Sequence, residues 1–187
     1  MGTDRITRDA GWINRKARPK GPNGRGLCRQ CGQEVPRGRQ TFCDEACVHE
    51  WRLRSNPGYV RAEVFKRDRG VCAACGLDTV VWGERLKVRL EAIWQRRSAW
   101  WAERLRRRGQ WHGVYVWRQR LLMRIGGKAL AHRFYRTTNL WDADHIVPVA
   151  EGGGGCGLDN YRTLCLGCHR KVTRALKSRL AKRRSGL

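Results

Sequence analysis

A chain of 187 residues is long enough for one domain, or one domain with a small appendage, and short enough that its core stays modest. Its 40 lysines and arginines against 16 aspartates and glutamates give a formal net charge of +24 and a pI near 11.0. Repulsion of that size opposes compaction and favours a polyanionic partner, nucleic acid foremost, because basic side chains release the counterions condensed on phosphates. No apolar stretch is long enough to span a membrane, and the basic residues 1–26 lack the apolar segment of a secretory signal. Charge by itself leaves open an enzyme and a structural component of a ribonucleoprotein.

In chain order, residues 1–26 read as a flexible basic arm, either touching phosphates or simply solvated. Residues 27–56 read as a zinc-binding module. Cys28-x2-Cys31 sits on a glycine-flanked knuckle and Cys43-x3-Cys47 follows a polar turn. Asp44 is placed to cap a helix running from Glu45 to Arg54, with Val48, Trp51 and Leu53 facing inward. Asn56-Pro57-Gly58 predicts a turn, and a second helix is expected from about Tyr59 to Lys66. Asp68-Arg69-Gly70 turns the chain into a second knuckle, Cys72-x2-Cys75.

Residues 82–108 predict a basic helix with an apolar stripe through Leu86, Leu90, Ile93, Trp94, Trp101 and Leu105, stopped by Gly109. Residues 111–138 stay ambiguous: Val114-Tyr115-Val116-Trp117 has strand character, and 121–125 suits either state. Tryptophan and arginine interleave here, which fits stacking on bases or sugars and equally fits packing on a small core. Residues 140–150 then predict a strand and its turn, Gly152 to Gly155 a hairpin loop, and 158–164 the return strand. Cys165-x2-Cys168 forms the last knuckle and opens a helix with Val172, Ala175, Leu176 and Leu180 on one face and Arg170, Lys171, Arg174, Lys177 and Arg179 on the other. Cys156, inside the glycine run, is left over as a small residue.

Eight of the nine cysteines fall in close pairs, which favours tetrahedral zinc over disulfides and so a reducing, intracellular compartment, cytoplasm or nucleoid in a bacterium or phage. Cys72, Cys75, Cys165 and Cys168 are expected to form one structural zinc site and Cys28, Cys31, Cys43 and Cys47 a second, although spacing alone also allows crossed pairings.

The stretch Asp144-His145-Ile146-Val147-Pro148, a glycine run, Leu158-Asp159-Asn160, then Cys165-x2-Cys168-His169 resembles the HNH motif of the His-Me finger nucleases, in the McrA-like variant that carries cysteine pairs. The resemblance implies an α+β fold: a zinc-stabilised ββα-metal core over residues 57–187, with a basic helical insertion at about 82–138. It also implies that Asn160 orients the catalytic histidine or braces the hairpin that carries it. From about Cys28 to Ala181 the chain is also similar to the HNH domain at the C-terminus of annealing helicases of the zinc-finger RAN-binding type, but it is too short to carry their ATPase motor.

Phosphodiester hydrolysis needs an activated water, charge neutralisation on the phosphate and help for the leaving oxygen. An imidazole can take the proton from water near neutral pH, and His145 is the candidate general base. Asp144 and His169 are the candidate ligands of one divalent ion, Mg2+ or Mn2+, with His169 alternatively a zinc ligand beside Cys168. Neighbours on a regular strand point to opposite faces, so Asp144 and His145 serve one phosphate only if the chain bends nearby. The expected function is hydrolysis of DNA phosphodiester bonds. RNA remains a possible substrate, and double-strand cleavage would call for a homodimer. The alternative is a non-catalytic, zinc-stabilised nucleic-acid-binding protein.

Overall fold

The computed structural model describes residues 19–106, 112–136 and 139–185. The expectations for residues 1–18, for the helix stop at Gly109 and for Trp111 lie outside the described residues, as do those for the side chains of Trp94, Trp101 and Leu105. Among the described residues, five α-helices and a two-stranded sheet make a small α+β architecture: α1 (Glu45–Ser55), α2 (Pro57–Asp68), α3 (Thr79–Arg106), α4 (His112–Arg136), β1 (Trp141–His145), β2 (Tyr161–Cys165) and α5 (Leu166–Arg184), with β1 paired to β2.

The chain divides into two compact units. One comprises the described residues through Arg67 together with His145–Arg162, the other Asp68–Asp144 and the residues from Thr163 onward. In the first, Cys28 N–H donates to the Gln33 carbonyl at 2.7 Å and Gly32 N–H to the Cys28 carbonyl at 2.9 Å, which closes a tight knuckle. Gly32 takes the left-handed φ of 74° that this turn demands. Asp44 caps α1 by accepting from Cys47 N–H at 2.8 Å. Leu53 is buried, whereas Val48 and Trp51 are only half-buried. The Arg29 guanidinium lies 5.4 Å over the Trp51 ring, and the Phe42 ring packs 5.8 Å from it.

Helix α2 begins at Pro57, two residues earlier than the turn reading placed it. Proline has no N–H to lose at the first helical position, and Asn56 Oδ1 caps the helix by accepting from Tyr59 N–H at 3.0 Å. Val60 and Val64 face inward, while Phe65 is exposed.

In the second unit, the Cys72 knuckle repeats the geometry of the first: Cys72 N–H donates to the Leu77 carbonyl at 2.9 Å and Gly76 N–H to the Cys72 carbonyl at 2.8 Å, with Gly76 at φ 71°. Asp78 Oδ1 accepts from the N–H groups of Val80 and Val81, so α3 starts at Thr79 rather than Trp82. The ambiguous segment is helical throughout α4, broken at Gly127, whose φ of 75° and ψ of −172° are not helical. The helix runs through its β-branched start despite the strand propensity there, and its later turns pack in the core. Leu122, Leu130 and Ala131 join Leu86 and Leu90 of α3, Leu140 and Leu166 in one buried cluster, with Trp82, Leu121 and Phe134 against it. Each such leucine contributes roughly 1.5–3 kcal/mol by leaving water. A smaller cluster of Cys72, Leu164 and Cys165, backed by Leu77 and Val172, surrounds the thiols. On α5, Val172, Leu176 and Leu180 are half-buried, but Ala175 is exposed. The return strand begins at Tyr161 rather than Leu158, because Leu158–Asn160 forms a single 3-10 turn.

Candidate active site and metal centres

Two groups of four cysteines converge. Cys28, Cys31, Cys43 and Cys47 form one and Cys72, Cys75, Cys165 and Cys168 the other, with the Sγ atoms of each group within 4.8 Å of one another. All nine cysteines are unbridged. Cys31 and Cys43 Sγ stand 3.5 Å apart and Cys75 and Cys165 Sγ 3.9 Å apart. Two thiolates on one tetrahedral zinc lie roughly 3.8 Å apart, given Zn–S bonds of about 2.3 Å.

Electrostatics within the quartets also fits a cation. Burial alone would raise the Cys28 thiol, but backbone N–H groups of Cys31, Gln30 and Cys43 outweigh it and bring the pKa down to about 6. Cys72 follows the same balance, its burial outweighed by N–H groups of Cys165, Ala74 and Cys75, and falls to about 7. One stabilised thiolate then repels ionisation of its neighbours. Hydrogen bonding to Cys31 and burial push Cys43 up to about 11, and burial with thiol contacts pushes Cys47 and Cys168 up to about 12. A dication removes that repulsion, and all four can then ionise. These residues fit zinc, and no crossed pairing forms.

Next to the second quartet, α5 carries His169 directly after Cys168. Its ring meets two carboxylates of β1. Asp142 Oδ2 lies 3.0 Å from Nδ1, and Asp144 Oδ1 lies 3.7 Å from Nε2. Strand alternation puts residues 142 and 144 on one face. Asp142 is itself held by Arg133 of α4. Burial works to raise the Asp142 carboxyl, but the His169 hydrogen bond and the Arg133 charge outweigh it and hold it below the usual carboxylate range. The Asp142 hydrogen bond, against a smaller opposing effect of burial, raises His169 above 6.5. Sequence reasoning missed Asp142. The signal was available in the Asp-x-Asp spacing on a strand, but its partners come from two different helices.

The Asp144–His169 pair passes a simple fit test for a divalent ion. Two ligand atoms each about 2.1 Å from one ion lie roughly 3–4 Å apart. The Nε2–Oδ1 distance of 3.7 Å falls in that range and is too long for a good hydrogen bond. His169 Nδ1 is turned to Asp142 and not into the thiol group.

In the first unit, His145 packs on Tyr161, ring centroids 4.4 Å apart. Consecutive Asp144 and His145 thus have different partners, and the chain bends immediately afterwards at residues 146 and 147. Asn160 braces the loop that follows. Its Oδ1 accepts from Val147 N–H at 2.8 Å, its Nδ2 donates to the carbonyls of Val147 at 3.1 Å and Gly153 at 3.0 Å, and its carbonyl accepts from Ile146 N–H at 2.8 Å. The Arg67 guanidinium donates to the carbonyls of Leu158 and Tyr161. Burial pushes the Tyr161 hydroxyl up to about 12, assisted by the Cys156 thiol.

A family model described as HNH endonuclease matches residues 132–175, a span that holds Asp142, Asp144, His145, Asn160 and His169. The chain is 30% identical to the human ZRANB3 HNH domain seen in a crystal structure, covering 97% of that domain and 70% of itself. The chain belongs to the HNH endonuclease family. That kinship rests on sequence, since the TM-score of the superposition is 0.43. The chain is also 33% identical over 159 residues to mouse ZRANB3 and 32% identical over 174 residues to human ZRANB3, each named a DNA annealing helicase and endonuclease. These alignments take in 80% and 88% of this chain but only 13% and 15% of those proteins, so this HNH protein spans about one seventh of the length of the curated relatives it matches.

Proposed function

We propose that this HNH protein is a metal-dependent endonuclease that hydrolyses DNA phosphodiester bonds, with His145 as general base and Asp144 and His169 as ligands of one Mg2+ or Mn2+ ion. The observation that carries the reading is the spacing of Asp144 Oδ1 and His169 Nε2, with Asp142 on the opposite ring nitrogen. DNA is the chosen substrate because the ZRANB3 relatives are named DNA enzymes and the chain carries a net charge of +24.

When bound, the divalent ion supplies positive charge against the phosphate oxygens and the departing alkoxide. His145 takes the proton from the attacking water, its ring plane held by Tyr161. Asp142 keeps the Nδ1 proton of His169 in place, so that Nε2 keeps its lone pair for the ion. Asn160 holds the loop after His145 closed on its own backbone. Cys165 and Cys168 would hold a zinc ion at the first turn of α5, and that ligation would fix the turn from which His169 projects.

The test is plasmid cleavage in Mg2+ or Mn2+ by the zinc-loaded chain and by His145→Ala. Nicking or linearisation that disappears in the variant, with gel-shift binding retained, establishes the activity and its base. Tight binding without cleavage of any duplex, branched or single-stranded substrate leaves the second reading, a zinc-stabilised binding protein, which the two cysteine quartets and the basic charge equally support.

A further inference from the structure

A cleft of about 470 Å³ opens beside His169, lined by Lys128, His132 and Arg133 of α4, Asp142 of β1 and Arg170 of α5. Its charges do not cancel. Among the described residues that line it, the carboxylate is Asp142, which is engaged by Arg133 and His169. The side chains of Lys128 and His132, one helical turn apart on the same face, have no hydrogen bond or ion pair with another described residue. Arg170 uses its Nε on the Leu166 carbonyl of its own helix, at 3.3 Å.

The backbone is arranged to let Lys128 and Arg170 converge. The break at Gly127 starts the α4 segment that carries Lys128 and His132. A Cβ at Gly127 would lie 3.1 Å from Arg170 Nη1, so glycine admits the guanidinium against α4. Cations gathered from two elements repel one another, and an anion seated among them reverses that cost. A lysine ammonium and an arginine fork together match a phosphate group, the one as a point charge and the other through paired N–H donors.

We infer that this cleft is a phosphate subsite, occupied by a backbone phosphate of the nucleic-acid strand adjacent to the phosphate that is cut. Its place next to the cut phosphate rests on the nuclease reading; the phosphate binding itself does not. Contacts of this kind position a strand without reading its sequence.

The experiment is fluorescence anisotropy of labelled duplex DNA over a NaCl titration, using the full zinc-loaded chain without added divalent ion. Wild type is compared with Lys128→Gln, Arg170→Gln, the double variant and Lys128→Arg. Zinc content and far-UV circular dichroism verify each fold. The slope of log affinity against log salt is expected to fall by roughly one for each cation removed, equally on unrelated DNA sequences, with Lys128→Arg retaining the wild-type slope. Wild-type slopes in both Gln variants, or no DNA binding by the wild-type chain, overturn the subsite. Cleavage assays on the same proteins separate the two readings. A wild-type chain that never cuts, with slopes that still drop in the variants, sinks the nuclease and keeps the phosphate site. Full cutting with unchanged slopes does the reverse.

Discussion

Asp142 Oδ2 holds Nδ1 of His169 at 3.0 Å, and this contact selects Nε2 as the nitrogen presented to Asp144. A carboxylate behind a ligating imidazole fixes its tautomer and raises its basicity, and losing it typically costs about 10–100-fold in metal affinity. Asp142→Asn is therefore expected to weaken Mn2+ binding by about that factor in isothermal titration calorimetry. Zinc content stays at the wild-type level. Unchanged Mn2+ affinity would remove Asp142 from the site.

The same contact sets a pH dependence. His169 is raised above 6.5 mainly by the Asp142 hydrogen bond. Its protonated form therefore contributes stability that is complete below the unfolded value of 6.5 and fades as pH rises through the higher folded value. An ion on Nε2 displaces that proton, so the melting-temperature gain from added Mn2+ should grow with pH across this window. Thermal melts with and without Mn2+, from about pH 6 to about pH 9, read the trend. A gain that shrinks with rising pH contradicts the pairing.

Each cysteine quartet should hold one zinc ion. Elemental analysis of the wild-type chain is expected to show two per chain, and Cys72→Ser or Cys168→Ser one. Ligand closure supplies folding free energy, so these variants should also lose the cooperative melt of the second unit. Cys156→Ser, outside both quartets, keeps both ions. Full zinc loading in Cys168→Ser would mean that the quartet is assigned wrongly.

Gly153 has no room for a side chain. A Cβ there would fall 1.8 Å from the Val147 carbonyl oxygen and 2.8 Å from Asn160 Nδ2. Gly153→Ala must therefore open the loop that Asn160 ties together. Asn160→Ala removes three side-chain hydrogen bonds, each worth roughly 0.5–1.5 kcal/mol. Amide exchange over residues 146–160 should accelerate in both variants, with the core of α3 and α4 unchanged.

Leu122 tests whether the α4 segment belongs to the core. It has no solvent exposure and packs in the cluster with Leu86, Leu90 and Leu130. Leu122→Ala is expected to cost about 2–5 kcal/mol in urea unfolding. Met123, next to it and exposed, should tolerate alanine with less than about 0.5 kcal/mol lost.

The local sequence determined a good deal of this protein. Both knuckles are written as Cys-x2-Cys-Gly, because the tight turn needs a glycine at positive φ immediately after the second cysteine. The Asp44 cap, the turn at Asp68 to Gly70 and the start of α5 at the last cysteine pair follow from equally short-range chemistry. The order Asp144-His145, Asn160, Cys168-His169 was enough to point to the family.

Tertiary structure decided what depends on residues far apart in the chain. Val114 to Trp117 carries strand propensity, yet it lies in α4, whose later turns are held in the core by contacts to α3 and α5 that no local pattern contains. Asp142 reads as one more polar residue on a short strand until Arg133 and His169 close on it from two helices. Lys128 and Arg170 look like ordinary surface charge, and only the break at Gly127 and the packing beside it bring them to one cleft. Propensities, caps and turns act between near neighbours, so the sequence shows them directly. Charge pairing and cleft formation act through space, and they exist only once the fold has brought distant residues together.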